Sequence, residues 1–155
     1  MDKKLYLSMM ALSVLEMGIG IYMTIYKIVY ELTKDNSMCL GSGDCASVNA
    51  SPYSSLFGIP VATIGFVGAL LIFITLLLEM RGEKLLGKAY GKFFKQNATL
   101  IVFGLCVTGF AFNVYLVYLE FFVIKALCPF CVVSQITVTI LFILSIVRLV
   151  RQPLS

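Results

Sequence analysis

The sequence predicts an all-α membrane protein: a four-transmembrane-helix bundle with an extracytoplasmic cysteine loop and a short interfacial helix. Three observations predict it. Of 155 residues, 60% are hydrophobic and only 13% charged, and the mean hydropathy of +0.98 implies more apolar surface than a soluble domain can bury. Four apolar runs are each long enough for the roughly 20 helical residues that a hydrocarbon core requires. Most basic residues fall in three short clusters between those runs, which orients a membrane protein and argues against nucleic acid as the reason for the net charge of +4.

The runs extend from Leu5 to Tyr30, Pro60 to Met80, Ala98 to Leu119 and Pro129 to Val150. The first follows Lys3 and Lys4 as a signal peptide would, but its apolar core is too long and no small-x-small site closes it, so it is expected to remain as an anchor. An even number of spans places both termini on one side. Lys3 and Lys4, then Arg81, Lys84, Lys88, Lys92 and Lys95, then Arg148 and Arg151 make that side cytoplasmic. The opposite side carries about residues 31–59 and 120–128, with Lys34 and Lys125 as its basic residues. Four of the five cysteines lie in or beside these segments. That side is the outside of a prokaryotic plasma membrane, or the lumen if the membrane is endoplasmic reticulum, and either compartment permits disulfides. No internal repeat or linker interrupts the chain, so residues 1–155 read as one domain in a lipid bilayer, with a monomer as the simplest unit.

The outer loop contains Cys39 and Cys45, separated by five residues that include Gly41 and Gly43. This spacing lets the thiols close or open a small ring without disturbing a helix. Spacing alone leaves a structural disulfide equally open. Next come Ser51-Pro52-Tyr53 and Leu56-Phe57-Gly58, in which Ser51 before Pro52 is a good helix start and Gly58 a good stop. A short helix flat on the membrane is expected here, with Tyr53 and Phe57 facing either a flat apolar ring or lipid.

Cys128-Pro129-Phe130-Cys131 opens the fourth span and is the most specific signal in the chain. Thiols at i and i+3 share a helix face and can form a reducible disulfide. Pro129 suits the first helical position, leaving Cys128 near a terminus whose partial positive charge favours thiolate. Cys131 lies one turn deeper, where an apolar acceptor dissolved in the bilayer, a quinone, could reach it. A zinc site joining both pairs is disfavoured by an oxidising compartment and by the absence of histidine, so no metal is expected. With both pairs on one side, a relay follows: an external dithiol reduces the Cys39–Cys45 disulfide, Cys45 exchanges with Cys128, and Cys131 delivers electrons to the quinone.

These residues resemble the vitamin K epoxide reductase family in its compact prokaryotic form. The resemblance runs through Cys39-x5-Cys45, Ser51, Phe57-Gly58-Ile59-Pro60, Val114-Tyr115-Leu116, Phe121-Phe122-Val123 and Cys128-x-x-Cys131. Dsb-type quinone reductases carry their CxxC in the first outer loop, so the reversed order here favours the epoxide reductase family. The resemblance implies that Cys39 faces the redox partner, Cys45 shuttles to Cys128, and Cys131 contacts the quinone, with Ser51 helping to hold the loop. Tyr53, Phe57, Phe130 and Gln135 complete the expected quinone contacts. Gln135 stands where vertebrate members have a tyrosine that hydrogen-bonds the naphthoquinone. Many prokaryotic members have a fused thioredoxin-like domain; the expectation here is a separate extracytoplasmic thioredoxin-like partner, with ubiquinone, menaquinone or vitamin K as acceptor. Two rival readings are a reductase of vitamin K or its epoxide, and a non-enzymatic scaffold with structural disulfides.

Several residues have other expected roles. Glu16, inside the first span, is expected to be a protonated or paired bundle residue roughly four turns from the outer end, poorly placed to serve a quinone near Cys131. Asn113 is expected to bond across helices or to reach a ligand, with helix packing the favoured role, Cys106 to act as a small buried hydrophobe, and Gly18, Gly20, Gly65, Gly68, Gly104 and Gly109 to make close helix contacts.

Overall fold

The computed structural model describes residues 3–34, 45–85 and 87–151. The expectations placed on Cys39 lie outside the described residues. Helix α1 spans Lys3–Thr33, α2 Cys45–Ala50, α3 Val61–Leu85, α4 Lys88–Tyr118 and α5 Pro129–Arg151. A π-helical stretch, Leu119–Ile124, prolongs α4 until Lys125 ends it in the left-handed conformation. Strands β1, Ser55–Leu56, and β2, Ile59–Pro60, form a miniature antiparallel hairpin.

Four helices, α1, α3, α4 with its extension, and α5, are long and apolar enough to cross a membrane. Their outer surfaces show why. Leu7, Val14, Ile21, Val67, Leu71, Val107, Val133, Ile140 and Ile143 all point outward. A helix apolar on every side is stable only where its surroundings are also apolar. The helices overrun the predicted spans mainly at their basic ends, where Lys88, Lys92 and Lys95 belong to the first turns of α4.

The basic end is tied by polar side chains that hydropathy alone does not reveal. Tyr6 Oη donates to the Leu76 carbonyl at 2.7 Å, joining α1 to α3. Arg148 is 1% exposed. Its Nη2 pairs with Glu79 Oε2 at 2.6 Å and its Nε donates to Thr99 Oγ1 at 3.2 Å, linking α5 to α3 and α4. Arg148 is therefore an internal clamp rather than a free orienting charge. Between this end and the middle lies a core of Met9, Ile72, Leu76, Val102, Cys106 and Leu141. A second core, Met23, Tyr26, Cys45 and Cys128, closes the cysteine end.

The expected helix over Ser51–Gly58 is a different structure. The short helix lies upstream, at Cys45–Ala50, and is followed by a 3-10 turn at Pro52–Ser54 and the hairpin. Pro52 has no N–H to continue a helix, and Ser51 Oγ donates backward to the Val48 carbonyl at 2.8 Å. Phe57 and Gly58 then take φ of +52° and +83°, as a primed two-residue hairpin turn requires, and direct the chain into α3. For Phe57 that backbone costs on the order of 1 kcal/mol.

The glycines also divide differently from expectation. At Gly20 a Cβ would lie 2.9 Å from Phe66 Cβ, so only glycine allows α1 and α3 to approach this closely. At Gly18, Gly65, Gly68, Gly104 and Gly109 a Cβ would meet nothing within 4 Å. Three of these, Gly65, Gly68 and Gly109, line a cavity instead.

Candidate active site

The N-terminus of α5 is built around Cys128. Pro129 begins the helix and contributes no donor, so the first free amides are those of Phe130 and Cys131, and both hydrogen-bond the Cys128 sulfur. The Cys131 thiol, three residues on, donates to the same sulfur. This last contact is the main reason why the Cys128 thiol is pushed down to about 7, against the opposing effects of burial and the Glu120 carboxylate. Near neutral pH the thiolate is therefore well populated, although the residue is fully buried.

The second cysteine of the site arrives from the loop. Cys45 is disulfide-bonded, with its partner outside the described residues, whereas Cys128 and Cys131 are free thiols. Cys45 is 1% exposed, and its sulfur lies 3.7 Å from that of Cys128. Two sulfurs in van der Waals contact, one of them in a disulfide and the other with thiolate character, are positioned for thiol–disulfide exchange. Helix α2 holds this position through its own bonds. Asn49 Nδ2 donates to the Cys45 carbonyl at 2.9 Å, and Ser54 Oγ shares its proton between the Asn49 and Ser51 carbonyls, each at 2.7 Å. Lys27 of α1, buried and paired with Glu31 at 3.7 Å, donates to Ser54 Oγ and fastens the turn to the bundle.

Below this roof lies a cavity of about 350 Å³, of the size that takes a small organic ligand. Ser51, Tyr53 and Ser54 form its ceiling, Cys131 and Phe130 reach it from α5, and its floor is near Cys106 and Leu141. Its walls are mostly apolar, as an isoprenoid-type ligand needs. The Phe130 ring is held by Tyr22, with centroids 4.8 Å apart. The missing side chains of Gly65, Gly68 and Gly109 keep the space open. Gly68→Val is expected to fit without a clash at Cβ yet fill part of the cavity. It should weaken binding of a small apolar ligand at least severalfold and leave the disulfide state of Cys45 unchanged, as measured by ligand titration and by mapping the disulfides.

The structure brings Ser51, Tyr53, Phe130 and Cys131 to the cavity, and Cys45 to Cys128. It does not bring Phe57, which is 96% exposed at the hairpin tip, nor Gln135, which is not among the lining residues and whose buried Oε1 has no hydrogen-bond partner among the described residues. Asn113 lines the cavity, where it could reach a ligand, and among the described residues its side chain makes only a 3.5 Å bond to the Gly109 carbonyl of its own helix and none across helices.

Two carboxyls join the site that sequence reasoning did not place there. Glu120, in the π-helical stretch, is 5% exposed and lines the cavity beside the Cys131 thiol. Its only sequence signal is a lone acid at the end of a long apolar run, eight residues before the CxxC. Glu16 also lines the cavity, and Ser134 Oγ donates to its Oε1 at 2.6 Å. Its depth was misjudged because α1 extends well past the start of α5. Tyr22 lies level with Phe130, so Glu16 lies level with Ser134, five residues into α5 and roughly 7 Å below its start.

Around one apolar cavity the chain thus gathers a buried thiol pair at a helix start and a disulfide-bonded Cys45. The model of the vitamin K epoxide reductase family matches residues 7–146, from the first turns of α1 to the last turns of α5. That match takes in both cysteine segments and every wall of the cavity. The protein is thus an integral, multi-pass membrane oxidoreductase, and the chain belongs to the vitamin K epoxide reductase family.

Proposed function

We propose that the protein passes electrons from an extracytoplasmic thioredoxin-like partner, through Cys39–Cys45 and then Cys128–Cys131, to a membrane quinone, and so drives disulfide formation in that partner. The observation that carries this reading is the 3.7 Å contact between Cys45 and Cys128, with Cys131 opening into an apolar cavity.

The partner's dithiol reduces the Cys39–Cys45 disulfide and leaves with a disulfide of its own. The Cys45 thiolate attacks Cys128 of an oxidised Cys128–Cys131 pair and releases Cys131. Cys39 then attacks Cys45, re-forms the loop disulfide and releases Cys128, whose low pKa makes it a good leaving group. The Cys128–Cys131 dithiol next gives two electrons to the quinone and closes to a disulfide, with Glu120 taking the proton of Cys131.

Because the Cys131 thiol is the chief support of the Cys128 thiolate, exchange should follow its titration. The thiolate fraction, and with it the rate of attack on Cys45, rises as pH passes through about 7 and levels off above. In Cys131→Ala the midpoint should move upward, measured as the rate at which the Cys45–Cys128 disulfide forms across pH.

Detergent-solubilised protein supplied with a reduced thioredoxin-like protein and ubiquinone or menaquinone should turn over, producing quinol and oxidised partner in equal amounts. Turnover with vitamin K epoxide but not with quinones would transfer the assignment to epoxide reduction. No turnover with either, in protein whose disulfides resist the partner, would make the cysteines structural.

A further inference from the structure

We propose that Glu16 is the general acid of the quinone half-reaction: its carboxyl, aimed by Ser134, gives a proton to the quinone oxygen remote from Cys131. The inference rests on the quinone reading above and deepens it.

Three observations converge on this carboxyl. Glu16 sits in the cavity wall with only 7% of its surface exposed. No salt bridge reaches it among the described residues. Ser134 donates to Oε1 at 2.6 Å, which leaves the other carboxyl oxygen as the proton carrier, and that oxygen has no hydrogen-bond partner among the described residues. An acid held inside hydrocarbon with one oxygen bonded and the other facing a cavity lacks the ion-pair partner that a purely structural buried charge needs.

The depth is also right. Ser134 follows Cys131 by three residues, so the two share a helix face and lie roughly 4.5 Å apart along the axis. A quinone ring whose near edge meets Cys131 therefore presents its opposite oxygen at the level of Ser134 and Glu16. The polar groups of the cavity ceiling are higher, and Ser51 and Ser54 already donate to backbone carbonyls.

The step balances. Forming the Cys128–Cys131 bond breaks two S–H bonds and releases two electrons, which reduce the quinone. The Cys131 proton passes through Glu120 to the nearer oxygen. Glu16 protonates the farther oxygen and is recharged from water, which has received the proton of Cys128. Both carboxyls return to their starting state, and the products are one disulfide and one quinol.

Glu16→Gln keeps the size and a donor N–H but has no proton to transfer. In stopped-flow reduction of a water-soluble ubiquinone analogue by prereduced protein, this variant should lose about a hundredfold or more of the rate at saturating quinone, the usual scale for a general acid. Its KM should change little, and exchange between Cys45 and Cys128 should proceed at the wild-type rate. Glu16→Asp should recover part of the loss. Ser134→Ala, which removes only the positioning bond, should fall between them and keep a solvent isotope effect that Glu16→Gln loses. A wild-type rate in Glu16→Gln overturns the proposal, and so does a loss matched by equal slowing of the exchange, since that marks a damaged bundle. A wild-type protein that exchanges thiols but reduces no quinone overturns the functional reading itself, and this role with it.

Discussion

Cys131→Ala protein will lose quinone reduction by on the order of a thousandfold or more, and it will accumulate a disulfide between Cys45 and Cys128. The first effect follows because removal of a reacting nucleophile leaves only binding and positioning behind. The second follows from the 3.7 Å contact. Cys128 has lost its resolving partner, so a bond made with Cys45 can be undone only from the loop side. Non-reducing peptide mapping should find residues 45 and 128 cross-linked. A variant whose Cys128 stays free, with the loop disulfide undisturbed, would show that the two sulfurs do not exchange.

Glu79→Ala will be the most destabilising single change at the basic end, by about 3–5 kcal/mol, because it strands the Arg148 guanidinium in a buried site. Among the described residues Arg148 Nη1 already has no hydrogen-bond partner, so the cluster has no reserve arrangement to fall back on. Adding Arg148→Met to Glu79→Ala should restore much of the loss, since replacing both members of a buried pair by apolar groups is far less costly than removing one. Thermal unfolding in one detergent, carried out on the four proteins of the cycle, measures both effects. Equal stability of wild type and Glu79→Ala would mean that the pair contributes nothing. The cysteine end should be unaffected, because the clamp and the redox site occupy opposite ends of the bundle.

The four spans were legible because hydrophobic length is a one-dimensional property, and because lipid tolerates no other way of satisfying the backbone. The CPFC pair was legible for a similar reason, since thiols three apart at a proline-started helix face the same way whatever surrounds them. Positions that depend on how helices are offset were not legible. Glu16 looked remote from Cys131 only when depth was counted from the end of its own helix; the offset is set by Tyr22 against Phe130, a contact between residues more than a hundred positions apart. Glu120 looked like the first residue of an outer link because nothing in composition announces that a helix will continue for another turn as a π-helix. Phe57 fitted a helical pattern with Tyr53 and Leu56, yet the neighbouring Gly58 made a hairpin turn available, and the turn prevailed. Arg148 reads in sequence as one more charge in a basic cluster, because the acid that pairs with it in the bundle lies 69 residues away.

At the heart of the proposed function is reduction of a quinone by the buried Cys128–Cys131 dithiol, in the cavity it opens into. Its most direct measurement uses the Cys39→Ala/Cys45→Ala double variant, fully reduced, freed of reductant and mixed anaerobically with excess ubiquinone. A single burst of about one quinol per chain is expected, with a Cys128–Cys131 disulfide on peptide mapping. Absence of quinol, or quinol formed while Cys128 and Cys131 both remain alkylatable, would contradict it.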